Sequence, residues 1–197
     1  MSLSMRVTAA VALVIGVLGR APVFAAATVQ TFESFPENTV LTTQIPGLTI
    51  SAPGGTPLIR EASTPLVPGE PKGLAHIPYD DFPAFLNIDF APGTNTVGAL
   101  IDFGVVGSGV GLTAYAGPGQ TGGVLGTTST TTESFLSLSA AGIRSARFET
   151  LSANASYLID NLTYELVPEP ATIGGLCLGM LLLVGSGTRN RMYSRNT

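Results

Sequence analysis

Short runs of β-branched and aromatic residues, separated by Gly- and Pro-containing turn signals, recur between residues 28 and 166. The run Phe85–Phe90 places its odd-numbered residues on one face of an extended chain and its apolar even-numbered residues on the other. No ten-residue stretch between these limits has the period of an amphipathic helix. Many short strands at this spacing are typical of an antiparallel sandwich or barrel. We predict an all-β fold, a single antiparallel β-sandwich covering residues 28–166.

Turn signals set the expected strand ends. Pro46-Gly47 interrupts the second strand, and Ala91-Pro92-Gly93, Gly117-Pro118-Gly119 and Ala141-Gly142 separate later strands. The predicted strands cover residues 28–35, 40–50, 85–90, 96–103, 109–115, 123–128, 134–138, 143–150 and 157–165. Six prolines fall between residues 52 and 78. We expect one long ordered loop there, with a short edge strand near Leu58–Glu61.

The charge balance of this region excludes one class of partner. Residues 28–167 contain four basic and twelve acidic residues, a net charge of about −8, whereas the whole chain carries −4. Nucleic-acid binding needs a basic footprint, so it is not expected. The single cysteine, Cys177, lies outside residues 28–166, so this region can form no internal disulfide.

The N-terminal residues have the order of a secretory signal peptide. Arg6 precedes the apolar run 7–18, and Ala25–Ala27 supplies the small residues that signal peptidase requires. We predict a signal peptide at residues 1–27, cleaved after Ala25 or Ala27. The alternative is an uncleaved N-terminal anchor.

The C-terminal residues combine three features in a fixed order. Val167-Pro168-Glu169-Pro170 is followed by an uncharged apolar run and then by separated arginines. The two prolines disfavour helix up to residue 170. The apolar run is shorter than the roughly 20 residues of a full membrane span. We predict a short transmembrane helix at about 171–187 with its basic end cytoplasmic; the alternative is an apolar core helix.

Residues 167–197 resemble the PEP-CTERM sorting domain of Gram-negative bacteria. The resemblance implies recognition by exosortase at Val167, Pro168, Glu169 and Pro170. It also implies transient retention in the inner membrane and a cell-surface or extracellular destination, often alongside exopolysaccharide. The arginines of this chain are more spread out than the compact basic cluster of the family.

Residues 28–165 resemble a jelly-roll module of the galactose-binding-like kind. The resemblance rests on Phe32-Glu33-Ser34-Phe35, Gly47–Ile50, Leu112–Gly117, Gly142–Phe148 and Ile159–Tyr164. It implies a structural calcium that joins the first strand to the last, with Glu33, Asp160 and Asn161 as ligands. The alternative is that these side chains lie on solvated strand faces or cap turns.

A second candidate site lies near the end of the proline-rich region. Tyr79, Asp80 and Asp81 combine an aromatic ring with two carboxylates that could contact a sugar, although Asp is also common in solvated turns. The only histidine, His76, is expected in the same loop as an exposed or hydrogen-bonded side chain. No catalytic constellation is recognisable around it.

The sequence therefore favours a non-enzymatic exported protein of the cell surface, extracellular matrix or biofilm. A calcium-dependent carbohydrate-binding module is the alternative, and a small secreted hydrolase is the second alternative. A binding module should present a groove or flat face with two or more exposed aromatic side chains. A purely structural protein should instead present a Thr-, Ser- and Gly-rich surface.

Overall fold

The computed structural model describes residues 26–62, 67–77, 83–103, 109–153 and 156–167. Within these ranges, nine strands form one hydrogen-bonded sheet, and all of their pairings are antiparallel. They are β1 (Thr28–Gln30), β2 (Leu48–Ser51), β3 (Thr56–Glu61), β4 (Lys72–Ile77), β5 (Phe85–Phe103), β6 (Val110–Tyr115), β7 (Val124–Thr130), β8 (Ser134–Thr150) and β9 (Tyr157–Leu166). The prediction of an all-β antiparallel fold is confirmed.

The two long strands β5 and β8 organise the sheet. The first half of β5 pairs with β2 and with the second half of β8, and β6 and β7 continue outward from there. The second half of β5 pairs with β9 and with the first half of β8. β9 pairs in turn with β1 and β4, and β3 lies beyond β4. Each long strand thus takes part in two different sets of pairings.

The turn signals at 91–93 and 141–142 do not end strands, which corrects the prediction. Both lie inside β5 and β8, next to the paired residues Thr94 and Ile143, where the register shifts. Proline lacks an N–H and Gly142 has φ +76°, so these residues disrupt the pairing locally instead of ending the strands. The buried Thr94 Oγ lies 2.8 Å from the carbonyl oxygens of Thr96 and Glu165 and accepts the Glu165 N–H. The Thr94 hydroxyl therefore links β5 to β9 at the point where the strand register shifts.

The long loop predicted for residues 52–78 is also wrong, because this stretch contains β3 and β4, although the short strand near Leu58–Glu61 is confirmed. β3 tolerates Pro57 because of its position in the sheet. The Ile59 N–H and the carbonyl oxygens of Pro57 and Ile59 bond to residues 38–41, on the side away from β4. The missing N–H of Pro57 therefore faces that outer side and leaves the β3–β4 pairing intact.

The core is formed by the apolar faces of these strands. Phe32, Phe90 and Phe148 are fully or almost fully buried, and the ring centroids of Phe90 and Tyr164 lie 5.9 Å apart. The alternation predicted for Phe85–Phe90 is confirmed for its even-numbered side, which is buried throughout. The first strand is shorter than predicted, since β1 ends at Gln30 and a turn with a hydrogen bond from Phe35 N to Phe32 O follows.

The predicted sorting segments lie almost entirely outside the described residues. These are residues 1–25 of the signal peptide and residues 168–197, which include Pro168, Glu169, Pro170 and the predicted transmembrane helix. Within the described ranges, no helix has the length and apolar character needed to cross a membrane.

Candidate functional site

The structure brings the predicted calcium ligands into one region. Glu33 lies in the turn after β1, and Asp160 and Asn161 lie in β9. Glu70 and Asp102 join them, since the charges of Glu33, Glu70 and Asp102 all act on Asp160. We call these four carboxylates, Glu33, Glu70, Asp102 and Asp160, the Asp160 cluster.

Hydrogen bonds engage three of these carboxylates, those of Glu33, Glu70 and Asp160. The backbone N–H of Lys72 donates to Glu33 Oε1 at 2.7 Å, and Lys72 Nζ lies 3.1 Å from the carbonyl oxygens of Glu33 and Phe35. Asp160 Oδ1 accepts the Asn161 N–H at 2.7 Å, and Asn161 Nδ2 donates to Glu70 Oε2 at 3.2 Å. In the described part of the chain, no group of three or more His, Cys, Asp or Glu side chains is arranged to hold a metal ion. Calcium binding by Glu33, Asp160 and Asn161 stays a prediction.

Burial and like charges perturb the acid groups of the cluster. Asp160 is only 7% exposed, and this desolvation is the main reason that its pKa is raised to about 6. The Asn161 N–H lowers the pKa, whereas the charges of Glu70, Glu33 and Asp102 raise it further. Burial followed by the charge of Glu133 raises the pKa of Asp102. Ionisation of Asp160 and Asp102 therefore lowers the free energy of unfolding.

The other predicted site residues are placed differently. Tyr79, Asp80 and Asp81 lie outside the described residues. His76 lies in β4 and not in a loop, which corrects the prediction. It is 2% exposed, and its Nε2 is 3.4 Å from the carbonyl oxygen of Pro53. Val167 is exposed and donates its N–H to the Gly93 carbonyl oxygen at 2.8 Å.

A polar face that the sequence did not single out lies across β2, β5, β8 and β6. Residues directly opposite each other in neighbouring strands share a face of a sheet. The central row of paired residues runs Ser51, Asn87, Arg147 and Thr113. The flanking rows run Thr49, Asp89, Ser145, Tyr115 and Phe85, Glu149, Gly111. We call this surface the Arg147 face.

Arg147 occupies the centre of this face and is held there by three side chains. Its guanidinium carbon lies 4.6 Å from the ring centroid of Phe85 and 6.0 Å from that of Tyr115. Its Nε donates to Asn87 Oδ1 at 3.1 Å, and Asn87 is buried. Cation–π contacts of this kind contribute about 0.5–2 kcal/mol each. One hydrogen bond and two aromatic rings thus hold the guanidinium in place.

The carboxylates of the Arg147 face are directed away from Arg147. Asp89 Oδ1 accepts the Gly119 N–H at 2.8 Å. The Glu149 side chain leans over Gly111, where its Cγ would lie 3.4 Å from an added Cβ. Among the described residues, no carboxylate oxygen comes within 4.0 Å of the guanidinium, since the one ion pair found there joins Arg60 to Glu37. The positive charge of Arg147 is therefore not neutralised by a direct ion pair in the described structure.

A short turn borders the face along the row of Asp89, Ser145 and Tyr115. Ser145 Oγ donates to the Gly117 carbonyl oxygen at 2.7 Å and accepts the Gln120 N–H at 3.0 Å. Gln120 is held at φ +58°, and its Nε2 is buried without a hydrogen-bond partner among the described atoms. Two side chains of the face, Asp89 and Ser145, thus hold the backbone of this turn through hydrogen bonds.

The sequence does not predict this face because the residues that form it are distant in the chain. Phe85, Asn87 and Asp89 were placed together by alternation, but Arg147 and Tyr115 reach them only through the strand register. The one available signal was that Arg147 is among the few basic residues of an acidic region.

No family model matches the sequence, and no curated protein matches it. Several solved structures are similar at low identity. The arabinose-bound α-L-arabinofuranosidase MgGH51 gives a TM-score of 0.48 at 14% identity over 72% of this chain, which spans only 26% of that chain. The cleaved adhesin domain K2 of Lys-gingipain gives 0.43 at 13% identity, covering 71% of this chain and 99% of that one. A family 29 carbohydrate-binding module from Piromyces equi gives 0.40 at 8% identity, covering 73% and 91%. These TM-scores are too low to support a conclusion about ligand or function.

Proposed function

We propose that this chain is an exported, non-enzymatic cell-surface or matrix protein that binds polysaccharide through the Arg147 face of a jelly-roll β-sandwich. The observation that carries the proposal is the face itself. Two partly exposed aromatic side chains, Phe85 and Tyr115, lie on either side of Arg147, and the exposed hydroxyls of Thr49 and Ser51 lie on the same face. Sites of this composition suit sugars, whose apolar faces contact rings and whose hydroxyls need donors and acceptors.

The register shift in the pairing of β5 with β8 supports the proposal that the fold is a β-sandwich. Each of these strands pairs with different neighbours on either side of a register shift, as strands do when they pass from one layer to another. The buried position of His76 on β4 supports the non-enzymatic part, because this histidine lies on a different strand from the Arg147 face.

Tyr115→Ala should weaken polysaccharide binding about tenfold, because one ring that borders the face is lost while the buried side of β6 is unchanged. The measurement is affinity electrophoresis of the purified protein in gels containing a panel of neutral and acidic polysaccharides. Phe135→Ala is the matched control, because Phe135 is 52% exposed on the other half of β8. Equal retardation of the wild type and Tyr115→Ala by every polysaccharide that retards the wild type would reject this face as the binding surface.

Export and sorting form the second part of the proposal, supported by the order of features in residues 1–27 and 167–197. Replacing Pro168, Glu169 and Pro170 together by alanine should block processing by exosortase. The unprocessed form should then accumulate in the inner-membrane fraction of a Gram-negative host that carries exosortase. Intact mass and cell fractionation measure this, with Asn196→Ala as the control. Normal processing of the triple variant would contradict the assignment.

Calcium binding at Glu33, Asp160 and Asn161 is a further prediction, supported by the electrostatic interaction of Glu33, Glu70 and Asp102 with Asp160. A ligand that binds only the folded protein at a hundredfold excess over Kd stabilises it by about 2.7 kcal/mol. We expect millimolar calcium to raise the Tm relative to chelator, and this shift to be absent in Glu33→Ala. Glu61→Gln, an exposed carboxylate on β3, is the control. An unchanged wild-type Tm in millimolar calcium would contradict calcium binding at this site.

A further inference from the structure

We infer that the Arg147 face binds a carboxylate of an acidic polysaccharide, with Arg147 as the residue that selects it; this inference rests on the polysaccharide binding proposed above. The central group of the face is a guanidinium and not an open aromatic ring. Arg147 itself lies over the Phe85 ring at 4.6 Å, so that ring surface is occupied by the cation. A ligand that approaches the centre of the face therefore contacts the guanidinium before the Phe85 ring.

The orientation of Arg147 favours an anionic partner. Its Nε is used by Asn87 Oδ1, and the rings of Phe85 and Tyr115 restrict the plane of the guanidinium. The terminal nitrogens carry paired N–H donors whose spacing matches the two oxygens of a carboxylate. A neutral hydroxyl can accept one of these donors, but it gains neither the second hydrogen bond nor the charge.

The neighbouring carboxylates, Asp89 and Glu149, do not pair with the Arg147 guanidinium. Asp89 accepts a hydrogen bond from the backbone of the 118–120 turn, and Glu149 leans toward β6 over Gly111. The described residues offer Arg147 no carboxylate within 4.0 Å. Lys72 and Arg144 also have no ion pair among the described residues, so what distinguishes Arg147 is its central position on the face and its contacts with Phe85, Tyr115 and Asn87. A carboxylate of the ligand would supply a counter-ion at this position.

The net negative charge of the domain repels an acidic polysaccharide at long range. Exposed charges beyond about 8 Å are largely screened at physiological salt. A carboxylate that contacts the guanidinium therefore responds mainly to Arg147 and to the few groups beside it. Binding should be weak at very low salt, where repulsion by the whole domain acts over a longer range. It should be strongest near physiological ionic strength and weaken again in high salt.

Polygalacturonate and its fully methyl-esterified form test the inference, since they share one sugar backbone and differ in the carboxylate charge. Binding of both polymers to the purified full-length protein is measured by biolayer interferometry, with alginate as a second acidic polymer of different geometry. We expect an acidic polymer to bind at least about tenfold more tightly than the ester. Arg147→Met keeps the apolar stem over Phe85 and should remove this preference. Arg144→Met is the matched control, because it removes the same charge from the adjoining part of β8 but not from the central row.

The outcomes separate this inference from the proposed function. Equal binding of polygalacturonate and its ester, both weakened by Tyr115→Ala, would overturn carboxylate selection and leave polysaccharide binding in place. A charge preference that survives in a folded Arg147→Met variant, verified by an unchanged Tm, would assign selection to another residue and overturn the role of Arg147. No binding to any acidic or neutral polymer would overturn both.

Discussion

Phe148→Ala should lower the free energy of unfolding by about 3–5 kcal/mol, because it leaves a cavity in the centre of the sheet. Phe148 is fully buried on β8, directly opposite Leu86 on β5 and Leu112 on β6, and both of these side chains are also fully buried. The Phe148 carbonyl oxygen also accepts the Tyr157 hydroxyl at 2.9 Å, a bond that the variant keeps. A loss of this size is a large part of the 5–15 kcal/mol that a typical domain has.

Urea unfolding followed by far-UV circular dichroism measures this loss. The matched control is Phe135→Ala, the same substitution in the other half of β8, where the side chain is 52% exposed. The Phe135 ring packs over the position where Gly98 lacks a side chain, so a cost below about 1 kcal/mol is expected. Similar losses for both variants would mean that Phe148 does not lie in a tightly packed core.

Local patterns predicted the fold class well but not the path of the long strands. The alternation in Phe85–Phe90 depends only on the period of a strand and is confirmed. The signals at 91–93 and 141–142 predict turns, because Gly and Pro are common where strands end. Here they lie on either side of the paired residues Thr94 and Ile143, and each strand continues because the register shifts there while the pairing resumes on both sides. Whether the strand continues is therefore decided by the pairing of the two strands, and neither segment alone predicts it.

The candidate sites differ in how far the sequence could predict them. The resemblance to a jelly-roll module predicts that Glu33 and Asp160 lie close together, and the charge of Glu33 contributes to the raised pKa of Asp160. Arg147 contacts Phe85, Asn87 and Tyr115 because of the strand register, in which Asn87 pairs with Arg147 across a separation of 60 residues. A one-residue slip of β8 would move Arg147 to the opposite face of the sheet. No local pattern therefore identifies the Arg147 face.

Asp160→Asn should stabilise the protein at pH 8 by up to about 3 kcal/mol. The folded-state pKa of Asp160 is about 6, whereas an unfolded aspartate titrates near pH 4. Because burial raises this pKa, the folded state binds the proton more tightly than the unfolded state does. The contribution of Asp160 is most favourable below about pH 4, falls as the pH rises toward 6 and is fully lost above that value. Asparagine is uncharged at every pH, and its side-chain oxygen can still accept the Asn161 N–H.

The pH dependence separates this explanation from a general effect of the substitution. Other carboxylates also titrate between pH 4 and 8, so the quantity to measure is the difference in unfolding free energy between Asp160→Asn and the wild type. Urea unfolding at several pH values, in the presence of chelator, gives this difference without interference from bound calcium. It should be small near pH 4, rise through pH 5–6 and level off by pH 8. Glu61→Gln, which replaces an exposed carboxylate on β3, should show a small difference at every pH. A difference for Asp160→Asn that is constant with pH would show that the carboxylate of Asp160 is not under electrostatic strain, and that Glu33, Glu70 and Asp102 do not act on it as a cluster.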